Sequence, residues 1–389
     1  MIHQFGFVSE ETFSEKMDTQ NRFLAALVTA QGGALKPTSW AEIQALVRAG
    51  LHKNVFAIGD QLVCSKGEGT LTWDIIGIDH DTPSDSQFTH SLTLQTHDCL
   101  ANSIVFDAPE ALYYAENGLA AGTYNFTIQG SYTPIGSTSK TFQFTLTDDV
   151  PVGGQLTFTW TYNTQASNAK ITSFVSATST ETIEQVSVTE GNSGTSLGTT
   201  DGNSTNLNFI EKSRFGSNHY ANSALRQYLN SSAAAGSVWT PQTVFDRPPT
   251  WASSTAGFMS DIDSDFLAVV GTTSKVTCLN TVADGGGSIT TTDKFFLLSR
   301  SEVYGGNENG AVNEGDPYAY YKDYSDLSEA GIGNDTNRIK YRNQSATSWL
   351  IRTPLSSGAG NIRTINTSGA SNSTGSYSSS ALCPACVII

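Results

Sequence analysis

Between Gly118 and Leu197 the chain alternates apolar and polar residues at a period of two. Five segments share this alternation: GTYNFTIQG, KTFQFTLTD, GQLTFTWTYN, AKITSFVSA and IEQVSVTEG. Such a period places one strand face against a core and the other in solvent. Asp, Pro, Gly or Asn residues separate the segments at short intervals, which is typical of an immunoglobulin-like antiparallel sandwich. We therefore predict a β-sandwich over residues 118–202, and a Gly-, Ser-, Thr- and Asn-rich linker over 191–205 that leaves it.

The beginning of the chain has helical spacing. Phe13, Met17 and Leu24 belong to an apolar stripe with i, i+3, i+4 intervals, and a second helix is expected after Ser39, a plausible N-cap. We predict a helical segment over 1–54. Its amphipathic stripe could pack on its own domain, self-associate or dock to a larger assembly.

The remaining segments mix strand and helix patterns. Strands are predicted in VFAIGDQLVC, LTWDIIGIDHD and HSLTLQTHDCL, and a short helix in DAPEALYYAENG with Pro109 near its start. Later helices are predicted in NHYANSALRQYLNS and SDIDSDFLAVVG, and KFFLLSRSEVYGG is predicted to be a strand that runs into a turn or helix. The fold class is therefore α+β. Residues 55–117 hold too few strands for a core of their own, so we expect one domain built from 55–117 and 203–389, with the sandwich inserted between them.

The charge of the chain limits its partners. The 389 residues carry a formal net charge of −15. An anionic surface repels phosphate backbones and anionic lipid, so we expect no nucleic-acid partner. No apolar stretch approaches the length of a membrane span, so we expect no membrane insertion.

The five cysteines are an odd and sparse set, which does not indicate a disulfide framework. Cys383-Pro-Ala-Cys386 has the spacing of a redox or zinc motif, but no second such pair or pair of nearby histidines accompanies it. Buried small thiols are the preferred interpretation.

Other polar groups favour structural roles. Asp261, Asp263 and Asp265 imitate the start of a calcium loop, but Phe266 and Thr272 occupy the positions that need Gly and Glu. Carboxylates at the beginning of a helix explain them better. We expect no metal, no cofactor and no catalytic residue.

Two further sets of ionisable side chains are the histidines near aspartates and a pair of arginines. His80, His90 and His97 lie near aspartates at spacings that match no zinc pattern, which predicts exposed turn residues. Arg352 and Arg363 are predicted to pair structurally.

Several strings together resemble a known group of proteins: GSNHYANSALRQYLNS, WTPQTVFDRPPTW, GFMSDIDSDFLAVVG, TTDKFFLLSRSEVYGG, NDTNRIKYRN, WLIRTP and CPACVI. They are similar to phage and prophage proteins with a C-type-lectin-like domain, many of which resemble the variable proteins of diversity-generating retroelements. The resemblance runs from about Val55 to Ile389, interrupted by the sandwich. It implies a C-type-lectin-like domain with an inserted immunoglobulin-like β-sandwich and a short helical N-terminus. The family's paired tryptophans before Leu-Arg-Ser-Pro appear here as WLIRTP, and its Ala-Pro-Ala-Cys as CPAC.

In such systems an error-prone copy rewrites adenines at the 3′ end of the gene. Asn codons can then change to many residues, but not to Lys, Glu, Gln, Met or Trp. Residues 353–382 contain none of these five types, where the average of the chain would give roughly four. Plain low complexity would produce the same absence. The resemblance also implies that the final CVII returns to the core as an anchor for the polar stretch before it.

The resemblance places the variable region at about 345–382. Ser, Gly, Asn and Tyr are the residues that adaptable binding surfaces use. The predicted ligand-contacting residues are Thr347, Ser348, Leu350, Ile351, Thr353, Leu355, Ser356, Ser357, Ala359, Asn361, Ile362, Thr364, Ile365, Asn366, Thr367, Ala370, Ser371, Asn372, Ser373, Thr374, Ser376, Tyr377 and Ser378.

The function implied is a receptor-binding adhesin on a phage particle, without enzymatic activity. It would bind a host-cell surface protein or glycan, attach to virion proteins through its N-terminus and assemble as a homotrimer. Two alternatives remain. One is a structural virion protein, such as a capsid decoration or tail component. The other is an enzyme resembling the formylglycine-generating enzyme, whose activated thiol pair would be Cys383 with Cys386.

Overall fold

The computed structural model describes residues 37–108, 218–242, 248–281, 284–308, 312–321, 336–358 and 360–389, and the backbone of a series of strands between 112 and 212. The predicted helix around Phe13 and the predicted linker over 191–205 lie outside the described residues.

Four α-helices lie in the described part of the chain: α1 (Trp40–Arg48), α2 (Ala224–Leu229), α3 (Ser264–Val269) and α4 (Arg300–Tyr304). Short 3-10 helices cover His52–Asn54, Tyr220–Asn222 and Thr336–Arg338. None of these helices is long and apolar enough to cross a membrane.

The strands of the described residues are, in chain order, β1 (Gln61–Lys66), β2 (Gly69–Ile78), β3 (Leu92–Thr96), β4 (Ile104–Val105), β5 (Leu112–Ala115), β6 (Gly122–Gln129), β7 (Ser139–Leu146), β8 (Gly154–Trp160), β9 (Ala169–Val175), β10 (Val186–Val188), β11 (Phe209–Lys212), β12 (Val270–Gly271), β13 (Thr273–Cys278), β14 (Ser288–Asp293), β15 (Phe295–Phe296), β16 (Lys340–Arg342), β17 (Ser345–Thr347), β18 (Trp349–Pro354), β19 (Asn361–Ile365), β20 (Ser371–Gly375), β21 (Ser379–Ser380) and β22 (Ala385–Ile388).

Each α-helix begins at a polar side chain that accepts hydrogen bonds from first-turn N–H groups. These N-caps are Ser39, Ser223, Asp263 and Ser299. The predicted N-cap at Ser39 is confirmed, because its hydroxyl accepts from the Glu42 N–H. The carboxylate interpretation of the 261–265 stretch is confirmed at Asp263, which accepts from the N–H groups of Asp265 and Phe266.

The central element is a curled, antiparallel half-barrel sheet of six strands. Its order is β1-β2-β3-β22-β12, and β15 also pairs with β22. Strand β22 therefore has β3 on one side and β12 and β15 on the other. The predicted anchor role of the final apolar residues is confirmed, since Ala385–Ile388 are fully buried in the middle of this sheet.

Successive residues of the central strands enter two different apolar cores. In β22, Cys386 and Ile388 belong to one cluster, while Ala385 and Val387 belong to the other. In β15, Phe295 likewise belongs to the first cluster and its neighbour Phe296 to the second. A strand that is covered on both faces is buried at every position, so apolar residues can follow one another without alternation. This explains why these strands read as continuous apolar runs rather than as alternation.

The first of these cores contains residues from both sides of the predicted insertion. Trp73 and Leu94 lie beside Phe258, Phe295 and Ile388 in one buried cluster. Helix α1 also packs here through Ile43 and Val47, and the Gln44 amide donates to the Ile389 carbonyl at 2.6 Å. Residues 40–48, which fall in the predicted 1–54 segment, thus pack on this domain.

All five strands predicted in the 118–202 block are present as β6, β7, β8, β9 and β10. They divide between a two-stranded β6–β7 ladder and a five-stranded sheet of β5, β8, β9, β10 and β11. One detail differs from the predicted antiparallel arrangement, since β10 pairs with β8 in parallel.

The helix predicted in DAPEALYYAENG is wrong, because Leu112–Ala115 form strand β5. Pairing with distant partners decides this, since β5 lies between β8 and β11 in the sheet. Strands β5 and β11 run antiparallel, and Ala115 is opposite Phe209. The chain therefore enters and leaves the 118–202 block at adjacent points.

We predict that the block can be removed. Joining Asn117 to Asn203 through a short Gly-Ser link would turn β5 and β11 into a hairpin, since their facing ends are already neighbours. The shortened protein is expected to stay soluble and to unfold in one cooperative thermal transition, measured by circular dichroism. Aggregation, or a melt without a transition, would contradict this domain map.

Candidate functional site

The predicted variable region forms a three-stranded antiparallel sheet with the order β18-β19-β20. Strand β18 is buried along its whole length, β19 is partly covered and β20, with the sequence SNSTG, forms the edge. The sheet thus grades from a core strand to an edge of small polar side chains. Asn372 of β20 is exposed, and the other residues of this strand are half-buried.

The predicted contact residues fall into groups by exposure. Exposed side chains belong to Ser348, Ser357, Thr367 and Asn372. Half-buried ones belong to Thr347, Leu355, Ser356, Asn361, Asn366, Ser371, Ser373, Thr374, Tyr377 and Ser378. Ala359 lies outside the described residues.

Eight of the predicted residues are buried: Leu350, Ile351, Thr353, Ile362, Thr364, Ile365, Ala370 and Ser376. Such side chains cannot meet a ligand on this surface, and for them the prediction is corrected. Leu350 and Ile362 belong to one apolar core, and Ile351 and Ile365 to the other. The hydroxyl of Thr353 is held inside by the Glu314 carboxylate at 2.7 Å.

A buried asparagine holds the loop between β18 and β19. The Asn218 amide donates to the carbonyls of Gly358 at 2.6 Å and Asn361 at 2.7 Å. Its side-chain oxygen accepts from the Asn280 amide at 2.7 Å. A fully buried amide with several partners fixes a loop that has little apolar surface of its own. The polar stretch is therefore ordered by the core beneath it.

Both arginines predicted to pair structurally do so. Arg363 makes a bidentate ion pair with Glu308, with N–O distances of 2.8 Å and 2.7 Å. Arg352 is fully buried, and its five N–H donors reach the Glu302 carboxylate and the carbonyls of Val276, Leu297 and Glu314. The prediction is confirmed.

Glu302 is the junction of a buried charge network that sequence reasoning missed. Its carboxylate accepts from Arg352 at 2.6 Å and from the Lys275 ammonium at 3.0 Å. It also closes a capping box with Ser299 at the start of α4. The sequence signal was present as Ser299-x-x-Glu302, a spacing that predicts this cap.

Lys275 extends the network to a second carboxylate. Its ammonium donates to Asp81 at 2.5 Å and to the Tyr318 hydroxyl at 2.9 Å, so its three N–H donors are all engaged. Burial favours the neutral form of Asp81, but the Lys275 charge and hydrogen bonds outweigh it, so the pKa of Asp81 lies well below its usual range. The same balance, with Arg352 and Lys275 as the cations, lowers the pKa of Glu302.

A pocket of about 460 Å³ opens beside this network. Its lining includes His80, Ser274, Asn313, Glu314 and Asp316. Burial raises the pKa of the Glu314 carboxyl despite the nearby Arg352 charge. The Lys275 ammonium and the carboxylates of Asp81 and Glu302 are hydrogen-bonded to one another and stabilise this wall of the pocket.

The three histidines do not share a site. His97 contacts Asp74 at 2.9 Å and His90 contacts Asp79 at 3.0 Å. His80 is not an exposed turn residue, since its ring stacks on Tyr318 with a centroid distance of 4.0 Å. In the described part of the chain no group of three His, Cys, Asp or Glu side chains is placed to hold a metal ion.

All five cysteines are free and buried, as predicted. The two cysteines of the CPAC stretch are not a pair, however, because Cys383 and Cys386 lie in different apolar clusters. The sulfur of Cys383 instead lies 3.1 Å from that of Cys99. The thiol pair on which the enzyme interpretation depended is thus not formed.

Comparison with known proteins adds one match. Residues 203–389 match a family described as a domain of unknown function, DUF6273. No curated protein and no solved structure shows significant similarity to the chain.

We predict that Asp81→Asn destabilises the protein at neutral pH and weakens its response to acid. Lys275 would stay buried without one of its two carboxylates, which costs about 3 kcal/mol. A carboxylate with a lowered pKa stabilises the fold above the unfolded-state value of about 4, and this stabilisation is lost as pH falls through the folded value.

The free energy of unfolding in urea, measured from pH 7 to pH 3, checks this expectation. The wild type should lose stability below about pH 4, and Asp81→Asn should lose less over the same interval. Glu68→Gln, at an exposed turn position, is the matched control and should follow the wild type. Equal acid slopes in the wild type and Asp81→Asn would contradict the assigned role.

Tolerance to substitution should follow the exposure of each side chain within the predicted variable region. The single substitutions Ser357→Tyr, Thr367→Tyr and Asn372→Tyr are each expected to change the free energy of unfolding by no more than about 0.5 kcal/mol. Ile365→Asn is expected to cost at least about 3 kcal/mol, because it places an amide in an apolar core. Thermal and urea unfolding of single variants measure both effects. Similar costs at both kinds of position would argue against a rigid scaffold with a tolerant edge.

Proposed function

We propose that this chain is a non-enzymatic binding protein of a bacteriophage, whose C-type-lectin-like domain displays a retroelement-diversified surface. One observation carries the proposal. The polar residues around β19 and β20 lie between two buried strands, β18 and β22, that hold the segment at both ends. Change at the exposed positions between them leaves the core contacts intact.

The fold supports this proposal. A half-barrel sheet with the last strand at its centre agrees with the expected lectin-like domain, in which that strand returns to the core. The adjacent ends of β5 and β11 agree with an immunoglobulin-like insertion over 118–202. In this proposal the scaffold is one domain of two chain segments, 55–117 and 203–389, and β5 and β11 connect it to the inserted block by sharing a sheet with β8, β9 and β10.

The chemistry of the displayed surface also supports binding. Its open side chains are small and uncharged, and Tyr377 adds a half-buried ring. The charge of Arg363 is neutralised by Glu308. Short hydroxyl and amide side chains adapt their hydrogen bonds at low entropic cost. Host-cell surface proteins and glycans offer matching donors and acceptors, and either is a suitable partner.

The rest of the assembly follows from the same proposal. Residues 1–36, which lie outside the described residues, would attach the protein to the virion, and the protein would act as a homotrimer on the particle surface. The enzyme alternative has lost its motivating geometry, because Cys383 and Cys386 are in separate cores. The experiment below distinguishes a binding protein from a purely structural virion protein.

Labelled full-length protein is expected to bind intact cells of the bacterium that carries or hosts the phage. The triple variant Ser357→Arg, Thr367→Arg, Asn372→Arg should keep its melting temperature. Its affinity for the cells should fall at least about tenfold, equivalent to about 1.4 kcal/mol. Glu68→Arg, at an exposed turn between β1 and β2, is the matched charge control and should bind normally. Equal binding by all three proteins would contradict a role for this surface.

The genetic half of the proposal has a separate test. A near-copy of the 3′ end of the gene should lie beside a reverse transcriptase gene. Sequences from different isolates should then differ at adenine positions of the codons for residues 353–382, and mostly at exposed or half-buried residues. Absence of both the near-copy and the reverse transcriptase would remove diversification from the proposal and leave the binding surface to be judged by the cell assay.

A further inference from the structure

Two cysteines far apart in sequence meet at the base of the displayed segment. Cys99 follows β3 and Cys383 precedes β22, and their sulfur atoms lie 3.1 Å apart. The backbone brackets this contact on both sides. The Thr96 N–H donates to the Pro384 carbonyl at 3.0 Å, and the Leu100 N–H donates to the Leu382 carbonyl at 2.8 Å. The two chain segments are thus held side by side at the thiols.

The other three cysteines have different surroundings. Cys64 accepts a hydrogen bond from the Trp73 indole at 3.2 Å. Cys278 lies near the Glu314 carboxylate, and Cys386 is packed in the other apolar core. Cys64 and Cys386 share that core, but the sulfur–sulfur contact within hydrogen-bond distance is the one between Cys99 and Cys383.

We propose that Cys99 and Cys383 form an oxidisable dithiol, which a low-molecular-weight disulfide converts into an intramolecular disulfide bond. The cross-link would join the segment between β3 and β4 to the segment that leads into β22. This proposal does not depend on whether the displayed surface binds a ligand.

The reaction balances as two successive thiol–disulfide exchanges. The Cys99 thiolate attacks one sulfur of the small disulfide, breaks its S–S bond and releases one small thiol, which leaves a mixed disulfide on Cys99. The Cys383 thiolate then attacks the Cys99 sulfur and releases the second small thiol. The two cysteines lose two protons and two electrons, and the small disulfide gains them.

The surroundings assign Cys99 the first step. A hydrogen bond from the Cys383 thiol lowers the pKa of Cys99, and the charges of Lys340 and Arg342 act in the same direction. Burial raises the pKa of Cys383 well above its usual range. Cys99 is also the more accessible of the two, at 6 % exposed against 0 % for Cys383. Cys99 is therefore the attacking thiol and Cys383 the resolving thiol.

A disulfide here would act on the part of the protein that returns from the displayed surface to the core. β21 pairs with β4 just before Cys383, and β22 follows it directly. Oxidation would therefore fasten the end of the polar stretch covalently. The reduced form would be the form made inside a cell, and the oxidised form the more resistant one outside it.

The test uses full-length protein purified under reducing conditions and then exposed to glutathione disulfide at mildly alkaline pH without denaturant. Thiols counted with a chromogenic disulfide reagent after unfolding should fall from five to three, because one bond consumes two. Peptide mapping without reductant should find the Cys99 and Cys383 peptides joined. Melting temperature should rise on oxidation and return to its starting value when a reductant is added.

Cys99→Ala and Cys383→Ala should each keep four thiols under the same treatment and show no oxidant-dependent rise in melting temperature. Cys278→Ala is the matched control, and its thiols should fall from four to two. The proposal is overturned if the folded wild type keeps all five thiols, or if mapping joins a different pair or two separate chains. The wild-type mapping decides the question even if one of the variants fails to fold.

Discussion

The fold depends on a strand that is hydrogen-bonded along both edges and covered on both faces. Strand β22 links β3, from the first third of the chain, to β12 and β15 from the last third. Its alternate residues complete two different cores, so removing it would leave both open. The small polar residues before it can be ordered at all because this strand and β18 hold their two ends. Apolar burial at the boundaries thus offsets the entropy of a segment that has little to bury itself.

The buried charges serve the same purpose at the other end of the segment. Glu302 fixes the start of α4 and also contacts Arg352 of β18 and Lys275 of β13. Ions removed from water are tolerated only when each has partners, and here every N–H donor of Arg352 has one. One carboxylate therefore joins α4, β13 and β18. The adjoining pocket is lined in part by these hydrogen-bonded groups.

The sequence was most informative where a single element decides its own structure. Period two predicted β6 to β10, and short polar side chains predicted the caps at Ser39 and Asp263. It failed where distant partners decide. The stretch around Tyr113 reads as a helix until β8 and β11 are beside it. The ion pair of Lys275 with Asp81, 194 residues away, leaves no local signal in the sequence. The predicted set of ligand-contacting residues was too broad. It included Ile351 and Ile365, which lie in an apolar core, and similarity of short sequence segments does not reveal burial.

The position of β22 after the polar stretch makes folding sensitive to the reading frame. A shift of frame or a stop codon between residues 355 and 380 would replace or remove Ala385–Ile388, and the half-barrel would then lack its middle strand. A substitution in the same interval leaves that strand unchanged. The architecture therefore separates two kinds of genetic error. Substitutions at the exposed positions leave the core contacts intact, whereas changes of frame produce unfolded chains that proteases clear. If a gene is changed repeatedly in this interval, only the copies that keep the reading frame of β22 encode a protein that folds.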